Sequence, residues 1–261
     1  MVRRGLANSR HQAREEIEAG RVLVAGSPAG KPAMQVRDSD SISVSKKSRS
    51  YVSRGAWKLS GALQSFHLGV QGRRALDAGA STGGFTQVLL ENGAESVIAI
   101  DVGYGQLAWE LRSNPRVHVR ERLNVRYLTI QDLPHRPNLI VADLSFISLT
   151  KVIPRLATMS DAEADFLLMV KPQFEAGRDL VASGVVADPI VREQAVIGVI
   201  RSGTSSGLLL KGVVASSLPG PKGNVEYFVW MTRSGSDVEG VSEDDESVQT
   251  AVKRAIAEGP Q

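Results

Sequence analysis

The stretch DAGASTGGF, residues 77–85, carries three glycines, two small hydroxylated residues and one acid in nine positions. Glycine density of that kind lets a ligand come very close to the backbone. A strand should lead into it and a helix should follow, which is the context of a nucleotide-binding turn. The spacing of Gly79, Gly83 and Gly84 is not the GxGxxG of a dinucleotide site, and no Gly-Lys-Ser/Thr follows as in a P-loop. S-adenosylmethionine fits better. It has no pyrophosphate and needs no extended anion cradle, only backbone near its aminoacyl arm and an acid for its ammonium group. Asp77, Gly79, Ala80, Ser81, Thr82, Gly83, Gly84 and Phe85 are expected to hold it. About one strand later VIAIDVG ends in Asp101, and an acid at that tip can accept both ribose hydroxyls. Asn124, after the third strand, is expected near the adenine, with Tyr104 and Gln106 lining the cleft. The competing reading is two buried strand ends with capping acids. Two further charges close apolar strands: Asp143 in VADLSF and Lys171 in MVKPQF. The carboxyl ends of strands are where parallel sheets form their sites.

Alternating elements are needed to position these residues. From Ala56 onward the helices AWKLSGALQSF, TQVLLENG and QLAWELRS alternate with strands ending at LDAGA, SVIAIDVG and RVHVRER. The strands NLIVADLSF, DFLLMVKPQF, LKGVVASS and EYFVWMTR follow, and DPIVREQAVIGVIRSG reads as a loop among them. Strands alternating with helices imply an α/β domain with a parallel sheet covered on both faces. Near the end of the chain Val248, Ala251, Val252, Ala255 and Ile256 share one helical face, which should pack on the domain.

Residues 1–45 read as a separate small α+β unit. Ser9 is an N-cap for the helix SRHQAREEIEAG, which stops at Gly20. RVLVAG is a short strand closing on the turn Gly26 to Pro28, and a Val36, Ile42, Val44 pattern follows. This resembles the RNA-binding domain of small-subunit ribosomal protein S-four, with Ser9, Arg10, Ala13, Ile17, Gly20, Val22, Val24 and Gly26 at its motif positions. That family usually has another helical turn upstream, so the start is read as late or the fold as trimmed. KKSRSYVSRG, residues 46–55, is basic and aperiodic and reads as a linker.

VSRGAWKL, LDAGASTGGFT, DVGYGQLAW, VADLSFISL, VKPQFE and LPGPKGNVEYF together resemble the TlyA family, ribosomal-RNA 2′-O-methyltransferases once labelled haemolysins and related to the FtsJ methyltransferases. The motifs run along nearly the whole chain. The resemblance implies an S-four-like RNA-binding domain over 1–45 and a Rossmann-like class I methyltransferase domain over 56–261, with a mostly parallel seven-stranded sheet. It implies S-adenosylmethionine as cofactor and a cytidine ribose in ribosomal RNA, within an assembled subunit, as acceptor. Residue spacing by itself does not identify the base. RSYV, residues 49–52, matches a family segment able to couple the two domains, so Arg49 and Tyr51 are expected to affect cofactor affinity.

A ribose 2′-hydroxyl is a poor nucleophile. Transfer from a sulfonium needs in-line approach and removal of the hydroxyl proton, so positioning supplies much of the rate. FtsJ-like enzymes share a Lys-Asp-Lys-Glu tetrad, and the matching positions here are Lys58, Asp143, Lys171 and Glu226. On this reading Lys171 accepts the proton, Asp143 orients it, shapes the field near the methyl and is expected also to bind the cofactor, Lys58 tunes Lys171 and holds the nucleotide, and Glu226 fixes the lysines or the ribose. Glu175 is a competing acid close to Lys171. Cytosine carbon-5 methylation normally uses a cysteine, and the chain has none. Amino-group methylation typically places Asn/Asp-Pro-Pro-aromatic after the fourth strand, where this chain has Asp143-Leu-Ser-Phe. A ribose hydroxyl remains the best acceptor, with Phe146 available to stack on its base.

Charge and composition bound the rest. A net charge of +3 is unevenly spread, with residues 1–58 basic and SEDDES (242–247) acidic. A basic end suggests a polyanionic partner, with Arg3, Arg4, Arg10, Arg14 and Lys31 as phosphate contacts. Without cysteine there are no disulfides or thiolate zinc sites, and four scattered histidines suggest no metal. No apolar run is long enough to span a membrane and MVRRGLANSR lacks the core of an export signal, so a cytoplasmic monomer is expected. Three rivals remain. A non-catalytic RNA-binding or ribosome-assembly factor would need no tetrad. A pore-forming haemolysin would need an amphipathic or spanning segment. An NAD-dependent oxidoreductase is disfavoured by the glycine spacing.

Overall fold

In the computed structural model, residues 1–7, 9–18, 22–24, 27–29, 31–37, 39–44, 51–177, 184–233 and 246–259 are described. The chain divides into two units, Met1–Ser50 and Tyr51–Gln261. In the first, α1 (Arg10–Glu18) precedes β1 (Val22–Val24), β2 (Ser27–Pro28) and β3 (Ile42–Val44). β1 lies between the other two strands and is antiparallel to both. Val22, Val24 and Ala29 make a small core, with Met1, Ile17, Ile42 and Val44 around it. Ser27 and Pro28, expected in a turn, pair instead with Val24 and Leu23. Gly20, Gly26 and Arg49 lie outside the described residues.

The second unit begins with residues expected to close the linker. The Tyr51 ring meets Trp57 edge-on at 4.7 Å, and the Val52 N–H donates to Gln87 Oε1 at 2.9 Å. The elements then run α2 (Gly55–Phe66), β4 (Arg74–Ala78), α3 (Gly84–Glu91), β5 (Ser96–Ile100), α4 (Trp109–Arg112), β6 (Val117–Arg120), β7 (Leu139–Ala142), α5 (Ile153–Met159), β8 (Asp165–Val170), α6 (Pro172–Glu175), α7 (Pro189–Thr204), β9 (Leu208–Ala215), β10 (Tyr227–Arg233) and α8 (Glu246–Glu258). The sheet has seven strands in the order β6-β5-β4-β7-β8-β10-β9. β4 to β8 are parallel, and β10 is antiparallel to both β8 and β9. This is the expected mostly parallel α/β architecture.

Strand alternation sorts the core into two layers. Leu76, Ile98, Ile140 and Phe166 face one layer, which α5, α7 and α8 cover. Ala75, Val97, Leu139 and Leu167 face the other, which α2 and α3 cover. Both faces are dry, so β7 reads as the unbroken apolar run LIVA.

Three elements differ from the sequence expectation. DPIVREQAVIGVIRSG is not a loop but the helix α7. Pro189 supplies a preset first turn, and the Asp188 side chain caps it by accepting from the Ile190 N–H at 2.8 Å. Val196, Val199 and Ile200 are buried while Ile190 is 64% exposed, so apolar residues on more than one face hid the helical period. The helix expected over QLAWELRS shrinks to Trp109–Arg112, because Ala108, with ψ 140°, is not helical and Gly105, just before the stretch, has φ +71°. The strand DFLLMVKPQF stops at Val170, and Pro172, without an N–H, starts α6.

Candidate active site

The strand order reverses between β4 and β7, and the carboxyl ends at such a reversal form the ligand crevice of open α/β sheets. The glycine loop leaves β4 at that point. The Gly79 and Ala80 N–H groups both donate to the Ile100 carbonyl, at 2.8 and 3.0 Å, so the loop leans toward β5. Gly79 has φ +88°, and a Cβ there would stand 2.5 Å from the Asp143 carbonyl oxygen. The bare backbone is what allows the tips of β4 and β7 to meet. Ser81, at φ +47°, donates its N–H to Asp101 Oδ2 at 2.8 Å, and Gly103 donates to Oδ1 at 2.6 Å. A cleft of about 320 Å³ opens here, lined by Gly79, Ala80, Ser81, Thr82, Gly84, Phe85 and Asp143 on one side and Ser53, Arg54 and Gly55 on the other. That size suits a nucleoside-sized ligand.

Asp77 and Gly83 are not on the cleft wall. Asp77 is fully buried; Thr86 Oγ1 donates to its Oδ2 at 2.7 Å, and its Oδ1 has no hydrogen-bond partner among the described residues. Burial pushes the carboxyl up to about 7, the Thr86 hydrogen bond offsets part of that, and the negative charges of Asp143 and Asp101 add to it. Acids reaching one another through this region make it a favourable place for a cation. Gly83 is buried against Leu107 and Leu111, where a side chain would collide. Asn124 spends its Oδ1 on capping a turn, accepting from the Arg126 N–H at 3.0 Å, while the Leu123 N–H beside it donates to the Asp101 carbonyl. Gln106 Oε1 accepts from Ser81 Oγ at 3.3 Å, and Tyr104 lies 4.1 Å beneath the Arg122 guanidinium.

The four tetrad residues form two ion pairs at neighbouring strand tips. Lys58 Nζ donates to Glu226 Oε2 at 2.5 Å, both side chains being buried. Lys171 Nζ lies 2.6 Å from Asp143 Oδ1 and donates to Ser145 Oγ at 3.0 Å. Tyr227 pairs with Val170, so Glu226 and Lys171 leave adjacent strands at the same level. Gly55, one turn before Lys58 on α2, would place a Cβ 3.6 Å from Asp143 Oδ2, which brings the start of that helix to the second pair. Glu226 Oε1 is buried without a hydrogen-bond partner among the described residues, and Gly220 leaves it room.

Glu175 does not compete for Lys171. It accepts from Ser148 Oγ and from the Leu149 N–H, and burial raises its carboxyl while those two bonds lower it. Phe146 is 92% exposed with φ +64°, its ring 5.2 Å from that of Phe174. In the first unit Arg3, Arg10, Arg14 and Lys31 are exposed, whereas Arg4 donates to the Asp40 and Arg37 carbonyls at 2.7 and 2.9 Å and ties a loop down. Sequence reading missed Ser53, Arg54 and Gly55 as cleft residues and Ser145 as a lysine partner. Gly55 stands one helical turn from Lys58, a spacing that could have flagged it.

Comparison with known proteins follows the same division. The FtsJ-like methyltransferase family matches residues 51–233, and the S4 domain matches residues 1–42. The 16S/23S rRNA (cytidine-2′-O)-methyltransferase TlyA of Mycobacterium tuberculosis is 53% identical, with 100% of this chain and 96% of that protein covered. Hemolysin A of Brachyspira hyodysenteriae is 37% identical over 85% of this chain and 93% of its own. A solved structure of a candidate haemolysin from Streptococcus thermophilus superposes with a TM-score of 0.75 at 35% identity, covering 98% of this chain and 94% of that one.

Proposed function

We propose that this chain, a member of the TlyA family of FtsJ-like methyltransferases, moves a methyl group from S-adenosylmethionine to the 2′-hydroxyl of a cytidine ribose in ribosomal RNA within ribosomal subunits. One observation carries the reading. Lys171, held by Asp143 and Ser145, lies at the edge of a glycine-walled cleft and one strand from the buried Lys58–Glu226 pair.

S-adenosylmethionine, when bound, supplies a methyl already activated on a sulfonium. The backbone of Gly79 to Thr82 and the acids Asp101 and Asp143 fit a compact, cationic nucleoside. Asp101, a half-buried residue whose carboxylate two N–H groups orient, receives the ribose hydroxyls. Asp77 acts from behind the loop, holding Thr86 at the start of α3. Lys171, as the neutral amine, takes the proton of the attacking ribose hydroxyl and becomes the ammonium that Asp143 holds, and Lys58 with Glu226 hold the nucleotide end of the site. Phe146 offers an open ring to the base. Arg3, Arg10, Arg14 and Lys31 contact phosphates, which position RNA without reading its sequence. The expected setting is a cytoplasmic monomer acting on assembled subunits. No described helix is long and apolar enough to cross a membrane.

Purified protein is incubated with methyl-labelled cofactor and ribosomal subunits, and the label is mapped. Label should appear on ribose 2′-oxygen, and Lys171→Ala should lose it by at least about a hundredfold while still binding cofactor. Full methyl transfer by Lys171→Ala removes the assignment of the base, and an unlabelled wild-type reaction removes the activity itself. Detergent-free protein should lyse no red cells; lysis would favour the haemolysin names among its relatives.

A further inference from the structure

Glu175 stands outside the cleft, yet it grips the loop that carries Asp143 of the tetrad. Asp143, Ser145 and Phe146 all lie in the segment between β7 and the single turn Leu149–Lys151. Phe146 holds a left-handed φ of +64°, a strained conformation for a non-glycine residue that persists only where its surroundings impose it. At the far end of this loop two donors meet one carboxylate. The Leu149 N–H donates to Glu175 Oε1 at 2.8 Å, and Ser148 Oγ donates to Oε2. At the near end Lys171 engages Asp143 at 2.6 Å and Ser145 at 3.0 Å. Lys171 caps α6, while Phe174 and Glu175 form its last turn, so one short element grips the loop at both ends and lays the Phe174 ring against Phe146.

We propose that Glu175 is a positioning residue for methyl transfer: its carboxylate clamps the loop after β7 to the turn carrying Lys171, and so sets the contact between Lys171 and Asp143. The proposal rests on the roles given to those two residues above. Among the described residues, no charged neighbour contributes to the state of Glu175. Lys171 is turned to Asp143, Lys151 on the clamped turn is exposed, and Arg192 of the adjoining α7 donates to the Val186 carbonyl. Burial raises the carboxyl, and the bonds from Ser148 and Leu149 lower it. Protonation turns one acceptor into a donor and breaks one side of the clamp.

The test uses full-length wild type, Ser148→Ala, Ser148→Thr and Glu175→Ala. Methyl transfer is measured at saturating cofactor and subunits across pH, and each variant is expressed as a ratio to wild type at the same pH. Ser148→Ala should lower kcat about tenfold with cofactor Kd and RNA KM unchanged. Its deficit should deepen toward acid pH, because without the Ser148 bond the carboxyl protonates more readily, and narrow toward alkaline pH. Ser148→Thr should restore the rate. Hydrogen exchange should show the Leu149 amide losing protection in Glu175→Ala, which has no acceptor for it. A Ser148→Ala ratio of one at every pH, or a loss that is pH-independent, tracks Tm and is not restored by threonine, overturns the proposal. If wild type transfers no methyl, the catalytic reading fails and the exchange arm still decides: unchanged Leu149 protection in Glu175→Ala removes the clamp.

Discussion

Lys58 and Glu226 show how much a single pair can be asked to do. Their side chains are 9% and 0% exposed, so neither charge has water to fall back on. Removing one partner of a buried pair strands the other, a cost of about 3–5 kcal/mol, whereas replacing both with apolar groups is often close to neutral. Lys58→Ala should therefore lower the denaturant midpoint sharply. Lys58→Met combined with Glu226→Leu should recover most of that stability and still transfer no methyl. A double variant as unstable as the single would mean that packing, not charge, holds this corner. At this scale the sequence was informative about position and less so about use. Asp143 and Lys171 were legible because apolar runs end on them. Asp77 looked identical in the string, but its carboxylate is turned inward to Thr86, since its strand position faces the α2–α3 layer instead of the cleft.

Among the elements, the glycine loop has the least freedom. Gly79 combines a positive φ with a contact to the Asp143 carbonyl that no Cβ can share. Gly79→Ala should weaken cofactor binding at least tenfold in calorimetry, and it should lower Tm because the tips of β4 and β7 must part. Unchanged cofactor affinity in a folded Gly79→Ala protein would remove the loop from the binding site. The strand–loop–helix context of this element was readable because it depends on residues within one turn of each other. α7 was not, because its apolar residues face both the core and the outside, and burial of Val196, Val199 and Ile200 decided the matter. The short α4 has another origin, since the non-helical ψ of 140° at Ala108 cuts off the helix formers before it.

For the whole molecule, two titrating groups pull stability in opposite directions. Asp77 is raised in the fold from 3.8 to about 7, so the folded protein holds a proton the unfolded chain has released, and stability falls as pH rises through that window. His135, which shares a hydrogen bond with Ser96 at 2.9 Å, is lowered from 6.5 by burial, then by Arg74 and by His118. Its contribution is fully present above 6.5 and is lost as pH falls below it. Asp77→Asn should therefore gain Tm over wild type above pH 7 and lose that advantage near pH 4. His135→Gln should flatten the acid-side decline. Parallel Tm curves for wild type and Asp77→Asn would show that Asp77 keeps an ordinary carboxylate in the fold. The two units carry separate parts of the proposed function: phosphate contacts on exposed basic residues of Met1–Ser50, chemistry on Tyr51–Gln261.

What the sequence alone determined was local. Alternating strands and helices, the glycine turn and the charges closing apolar runs all depend on spacings of a few residues, which the backbone geometry of strands and helices converts directly into position. The pairing was decided by the tertiary structure. Lys58 and Glu226 are 168 residues apart, and they meet only because β10 inserts antiparallel beside β8 while α2 packs over that end of the sheet. Strand order and layer packing are properties of contacts distant in sequence, and no local pattern encodes which carboxylate each lysine will meet.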